Sequence, residues 1–319
     1  MSIQGTYTTP FEKDGLKFVS YPHRGNGLSL IIEQEKIEKS VQYIQDNKIT
    51  GIDFHPLVYG NIENIGFLTK IKDYIQSISF TSECRIKDIS PLNALENLKY
   101  LEFSIDNKIQ QTLNFSNFPK LEQAHIVWQK NMINLNTCIR LENLGLYNWN
   151  EQDIQSLTTL KELKKLYFND TKILTSLAGI ENFSKLENLS LYNCPKLQSL
   201  GDFDNFSNTL EELNIQSCRQ ITDYTTISKL KNLKYLVLLS SAPAENASFL
   251  ENLNLKGFGN IDINILDGNV ENLLKEPILF KNYTHFNAKN ISSLRDYKGE
   301  YYLFKKDAEG KFQPFRKIK

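Results

Sequence analysis

The four histidines, His23, His55, His125 and His285, are the first residues to test for chemistry. Imidazole is the commonest general base and metal ligand near neutral pH. A shared metal needs its ligands together, and a general base needs a nucleophile within hydrogen-bond reach. None of the four is near another in sequence, and no H-E-x-x-H, G-x-S-x-G, G-x-x-x-x-G-K-S/T or G-x-G-x-x-G string occurs. The four cysteines, Cys84, Cys138, Cys194 and Cys218, include no C-x-x-C pair, and four thiols in 319 residues make no disulfide framework. These residues predict no catalysis, no metal and no cofactor.

The composition narrows the partners. Lys+Arg and Asp+Glu both number 37. That balance leaves no basic footprint for nucleic acid and no polybasic attraction to a membrane surface. No stretch approaches the roughly 20 consecutive apolar residues of a membrane span. The opening "MSIQGTYTTPFEKDGLKF" has no basic region followed by an apolar run. With four unpaired thiols, the expected setting is reducing and cytoplasmic. The sequons at Asn188 and Asn246 then read as chance in an Asn-rich chain.

Any surface must be positioned by repeating elements, because the chain repeats itself. "LENLGLYNW" at 141 returns as "LENLSLYNC" at 186. The same L-x-x-L-x-L frame occurs as "ITGIDF" at 49, "IQSISF" at 75, "LKYLEF" at 98, "LEQAHI" at 121 and "LKKLYF" at 163. It continues as "LEELNI" at 210, "LKYLVL" at 233 and "LENLNL" at 250, with starts 26, 23, 23, 20, 22, 23, 24, 23 and 17 residues apart. Ala124 interrupts the fourth copy. Within x-L-x-L the apolar residues alternate with polar ones, the period-2 mark of a half-buried strand. Leu189 and Leu191 point into a core; Asn188, Ser190 and Tyr192 point out. Segments such as "SLAGIENF" supply the opposite wall through Leu177, Ile180 and Phe183. One unit cannot bury its apolar edge, but a stack can.

These residues resemble the leucine-rich repeat family over about residues 49–258, and most closely the short bacterial internalin-like subclass. The resemblance implies an α/β solenoid with a curved parallel sheet on the concave side and short turns or 3-10 segments on the convex side. It divides the chain into an N-terminal cap (1–48), an array of about ten repeats (49–258) and a C-terminal cap (259–319). The first cap contains an amphipathic helix through Ile37, Val41 and Ile44, preceded by an exposed loop "YPHRGNG". The second contains a helix in "ILDGNVENLLKEP" and a hairpin in "YYLFKKDAEGKFQPF" turning near Gly310. The resemblance also implies that the ninth frame residue faces inward to meet backbone groups. Here that position holds Glu83, Asp106, Gln129, Trp149, Thr171, Cys194, Cys218 and Ser241, an irregular ladder without Asn. Cys194 and Cys218 thus read as small buried thiols.

Function is expected at the outward positions three, five, seven and eight. The early strands offer Ser77, Ser79, Thr81 and Ser82. The middle offers the aromatics Tyr100, Trp128, Tyr147, Tyr167 and Tyr192, with Glu102, His125, Lys165 and Asp170 among them. The later strands carry Asn214, Gln216, Asn252 and Asn254, then an apolar group of Tyr235, Val237 and Leu239. Tyr and Trp anchor protein interfaces, since each brings rigid area and a polar handle. Trp128, Tyr147, Tyr167 and Tyr192 fall on four consecutive predicted strands. The expected function is a monomeric, non-catalytic module that binds a protein on its concave face. Its resemblance to stand-alone repeat inhibitors suggests an immunity-type role. The alternatives are an effector or enzyme acting through Tyr283, His285, Tyr301 or Tyr302, and an internalin-type adhesin.

Overall fold

From residue 49 to residue 238, each frame copy supplies one parallel strand, and within each of two units its two inner apolar residues stack on those of the next copy. In the computed structural model, residues 9–21, 27–55, 60–106, 108–221, 223–250, 253, 255, 260–262, 264–267, 287–288, 291–297 and 300–317 are described. They belong to two units, Met1–Tyr147 and Asn148–Lys319.

The sheet of the first unit contains β1 (Phe11–Lys13), β2 (Leu16–Ser20), β3 (Leu28–Ile31), β4 (Gly51–Phe54), β5 (Ser77–Phe80) and β6 (Tyr100–Phe103). A short β7 (Leu113–Asn114) lies apart and pairs with β9 (Met132–Ile133); β8 (Gln123–Val127) and β10 (Asn143–Tyr147) complete the main sheet. Its order is β1-β2-β3-β4-β5-β6-β8-β10. The first two pairings are antiparallel and the others parallel. Ile52, Ile78, Leu101, Ala124 and Leu144 stand in register, each at most 1% exposed. Beside them run Phe54, Phe80 and Phe103, with ring centroids 4.6 and 5.9 Å apart. Phenylalanine at frame position six thus builds an aromatic ladder inside the early repeats.

The expected cap helix is α1 (Ile37–Asn47), with Val41 and Ile44 buried and Lys48 closing it in the left-handed conformation. Strands β1–β3 were not expected. Their signal is "KDGL": Asp14 and Gly15 have φ of 55° and 69°, as a two-residue type I′ hairpin loop requires. The loop expected at 21–27 begins differently too, since Tyr21 is buried and its hydroxyl lies 3.4 Å from His55 Nε2. Residues 22–26 of it lie outside the described residues.

The second unit continues with β11 (Lys165–Asn169), β12 (Asn188–Tyr192), β13 (Glu212–Gln216), β14 (Tyr235–Leu239) and β15 (Asn260–Asp262), all parallel in that order. Leu166, Leu189, Leu213 and Leu236 form the inner row. Opposite them stand 3-10 turns such as Ile180–Asn182, which bury Leu177, Ile180 and Phe183 completely. One strand and one turn per repeat is the architecture of a leucine-rich repeat solenoid. The expected tenth copy is corrected: Leu250 ends a 3-10 turn, Ser248–Leu250, and the strand that pairs with β14 is β15. The frame at 250 was a chance likeness, flagged by its 17-residue step. Ile261 pairs with Leu238, a 23-residue step.

A separate sheet follows, ordered β16 (Asn264–Ile265), β17 (Asn287–Ala288), β18 (Ile291–Tyr297), β19 (Glu300–Lys306) and β20 (Phe312–Lys317). β19 and β20 are the expected hairpin, with Gly310 at φ 79° in its turn. The expected helix at 265–277 starts with Ile265, which is in β16, and residues 268–277 lie outside the described residues. So do Asn252, Asn254, Tyr283 and His285.

Candidate functional site

On the first unit, Ser82 just past β5 is exposed and Thr81 is half-buried, but the outer positions within the early strands are largely closed. Asp53, Ser77 and Ser79 are at most 3% exposed, and Tyr100 is 6% exposed. The expectation that Tyr100 offers contact area is thereby corrected. The residue stands on the outer face, but its hydroxyl donates to Glu102 Oε2 at 3.4 Å and its ring lies 6.4 Å from the His125 imidazole. Ser79 Oγ donates to the same carboxylate oxygen at 2.8 Å. Glu102, His125 and Gly145 are in register on β6, β8 and β10. The His125 ring occupies the place of a side chain on Gly145: a Cβ there would stand 2.5 Å from Nδ1. That is why "LENLGL" has glycine where "LENLSL" has serine.

Trp128 is half-buried. It follows the end of β8, and its indole stacks on Phe115 of the opposite layer, with centroids 6.1 Å apart and planes at 17°. Its backbone N–H donates to Tyr147 O at 2.8 Å, at the end of the outer strand face. Tyr147 sits on that face, half-buried. His55 and His125 do not meet a common ligand set, and among the described residues no group of three or more His, Cys, Asp or Glu could hold a metal.

On the second unit the expected outer residues are outward and organised. Lys165 is exposed, Tyr167 and Tyr192 are half-buried, and Tyr235 is 40% exposed. The rings of Tyr167 and Tyr192 are 5.4 Å apart at 45°, a tilted aromatic pair. Tyr192 Oη receives Asn214 Nδ2–H and Gln216 Nε2–H, both at 2.8 Å, and Gln216 Nε2 also donates to Asn214 Oδ1 at 2.9 Å. Two amides from β13 thus lock a tyrosine of β12 from the neighbouring strand. Asp170 stands at the rim, bonded to the Asn193 amide and paired with Lys172 at 3.4 Å. The network went unread in the sequence, although its signal was present. Asn214 and Gln216 are two apart on one strand face, and Tyr192 is in register with Gln216.

The ladder behind this face follows from backbone conformation. Asn148, Asp170, Asn193, Ser217 and Ser240, all at frame position eight, have φ between 48° and 58°. This left-handed step turns position nine inward. Trp149 is 2% exposed and donates its Nε1–H to Asp153 O at 3.1 Å; Thr171, Cys194 and Cys218 are fully buried. Cys194, Cys218 and Ser241 each donate to the carbonyl two residues earlier, at 3.5, 3.4 and 3.2 Å. All four cysteines are free thiols. A hydrogen bond with Cys194, together with burial, pushes the Cys218 thiol far above its ordinary range. Burial alone raises Cys138 to about 12. Neither is poised as a nucleophile.

No protein-family model matches the chain, and no curated protein matches it. Solved structures with a similar fold include internalin C2 of Listeria monocytogenes, at 19% identity over 59% of this chain and 82% of that one, with a TM-score of 0.45. An internalin F structure from the same organism is 18% identical over 66% and 72%, TM-score 0.37. A leucine-rich repeat protein of Leptospira interrogans is 15% identical over 82% and 88%, TM-score 0.40. The solenoid fold rests on the ladder registers above.

Proposed function

We propose that the protein is a non-catalytic module that binds a protein partner on the outer face of its repeat strands. The observation that carries this reading is the locked Tyr167–Tyr192 pair of the second unit. Aromatic side chains held in place before binding lose little conformational entropy on contact, the property that makes interface anchors. A structural tyrosine needs no such outward placement. The buried, free thiols and the balanced charge go with a cytoplasmic setting. An immunity-type inhibitor that masks a second protein is the specific form of the reading we favour.

The test is a pull-down from the native cell with the wild-type chain, Tyr167→Ala/Tyr192→Ala and Tyr147→Ala, each checked for folding by circular dichroism. A specific protein should be recovered by the wild type and lost by the double variant. Equal recovery by a folded double variant would move the binding surface off this face.

A further inference from the structure

Positions five and seven of β11–β14 carry eight side chains, and none of them is charged, although 23% of the chain is Asp, Glu, Lys or Arg. The charges of this face stand at its borders: Lys165 and Glu212 at position three, and Asp170, paired with Lys172, at position eight. Between them run Tyr167, Tyr192, Asn214 and Gln216, then Val237 and Leu239 on β14. We infer that the second unit recognises an uncharged stretch of polypeptide, through amide hydrogen bonds and apolar contact. This rests on the proposal that its strand face binds a protein.

Hydrogen-bond capacity supports the same chemistry. With the amide orientations that the network dictates, Gln216 spends both N–H groups on Tyr192 Oη and Asn214 Oδ1. Its Oε1 is left to accept. Asn214 Nδ2 spends one N–H on Tyr192 Oη and keeps one to give. These two amides therefore present one neutral acceptor and one neutral donor, two residues apart on β13, roughly 7 Å along the strand. Peptide C=O and N–H groups complement these, and uncharged side chains fit over the rings and over Val237 and Leu239. A carboxylate or ammonium placed here would lose hydration without meeting an opposite charge.

The experiment selects random dodecapeptides displayed on phage against the immobilised full-length chain. Enriched peptides are then synthesised and titrated against wild type, Asn214→Asp and Asn214→Lys. Enriched sequences should be poorer in Asp, Glu, Lys and Arg than the unselected library. Their Kd should change less than about twofold between roughly 50 and 500 mM NaCl, where screening would expose any charge pairing. Both substitutions should weaken binding, by about tenfold each, because either charge enters a neutral contact. Enrichment of charged peptides, or tighter binding to either variant, overturns the inference and leaves protein binding intact. Enrichment of no peptide at all overturns both.

Discussion

Adding one methyl group at Gly145 tests whether the imidazole of His125 dictates the sequence of its neighbouring strand. A Cβ there would lie 2.5 Å from Nδ1 and 3.3 and 3.4 Å from Cε1 and Cγ of His125. The ring must therefore leave its place beside Tyr100, where the centroids are 6.4 Å apart. Rotating it off a favoured side-chain angle costs about 0.5–1.5 kcal/mol. Against that, alanine loses less freedom on folding than glycine, a gain of about 0.5–1 kcal/mol. Gly145→Ala alone should leave stability within about 1 kcal/mol of wild type. In a His125→Ala background the obstacle is gone, and the same substitution should stabilise by about 0.5–1 kcal/mol. The coupling in the double-mutant cycle is then about 1 kcal/mol. Urea unfolding of the four proteins, followed by circular dichroism, reads it directly. A coupling below about 0.3 kcal/mol would falsify the claim that His125 is what excludes a side chain at Gly145.

Other outcomes follow from the same geometry. Leu189→Ala removes a fully buried inner-row residue and should cost about 2–5 kcal/mol in urea unfolding, where exposed Lys165→Ala should cost less than about 0.5. Ser217 holds φ at 57°, so Ser217→Gly should be neutral or stabilising while Ser217→Val should cost about 1–2 kcal/mol. Cys138 is raised by burial from 9.0 to about 12. The unfolded thiol ionises above about pH 9, and the folded one does not until about 12. Its contribution is therefore full below pH 9 and falls by about 1.4 kcal/mol per pH unit above it. Cys138→Ala should flatten that part of the pH–stability profile; an unchanged slope would show that other groups cause it.

The inner half of the frame was legible because burial is encoded residue by residue. Leu189 and Leu191 had to face a core, and they stand in register with Leu213 and Ile215. The outer half was less legible, since facing outward does not mean meeting solvent. Tyr100 faces outward yet is covered, because Glu102 and His125 hold it from the next residues and strand. Alternation cannot report such lateral contacts. The placing of the Trp128 ring has a backbone reason. Its copy lacks the left-handed step at position eight, and its ring turned to Phe115 instead. The displaced tenth strand failed because three well-spaced apolar letters in "LENLNL" outweighed an anomalous interval. The cap strands are marked in the sequence only by one Asp-Gly pair between short β-rich runs, a weaker signal than a repeated frame.

Position eight separates two kinds of repeat, and it does so for a physical reason that bears on binding. Asn and Asp enter the left-handed region at little cost, as Asn148, Asp170 and Asn193 do, while larger apolar residues do not. Where the step is made, position nine becomes the ladder and position seven stays on the outer face; Tyr192 and Cys194 are such a pair. In the copy at 98, where it is not made, position eight itself turns inward. Ile105 is fully buried there, and Gln129, at position nine of the following copy, ties off the loop by donating to Ile105 O at 3.0 Å and accepting from Ile109 N–H at 3.1 Å. A left-handed asparagine, aspartate or serine thus assigns the next residue to the core and keeps the one before it available for contact. The tyrosine of "LYNC" can serve a partner because the asparagine after it bends the chain and sends the cysteine inside.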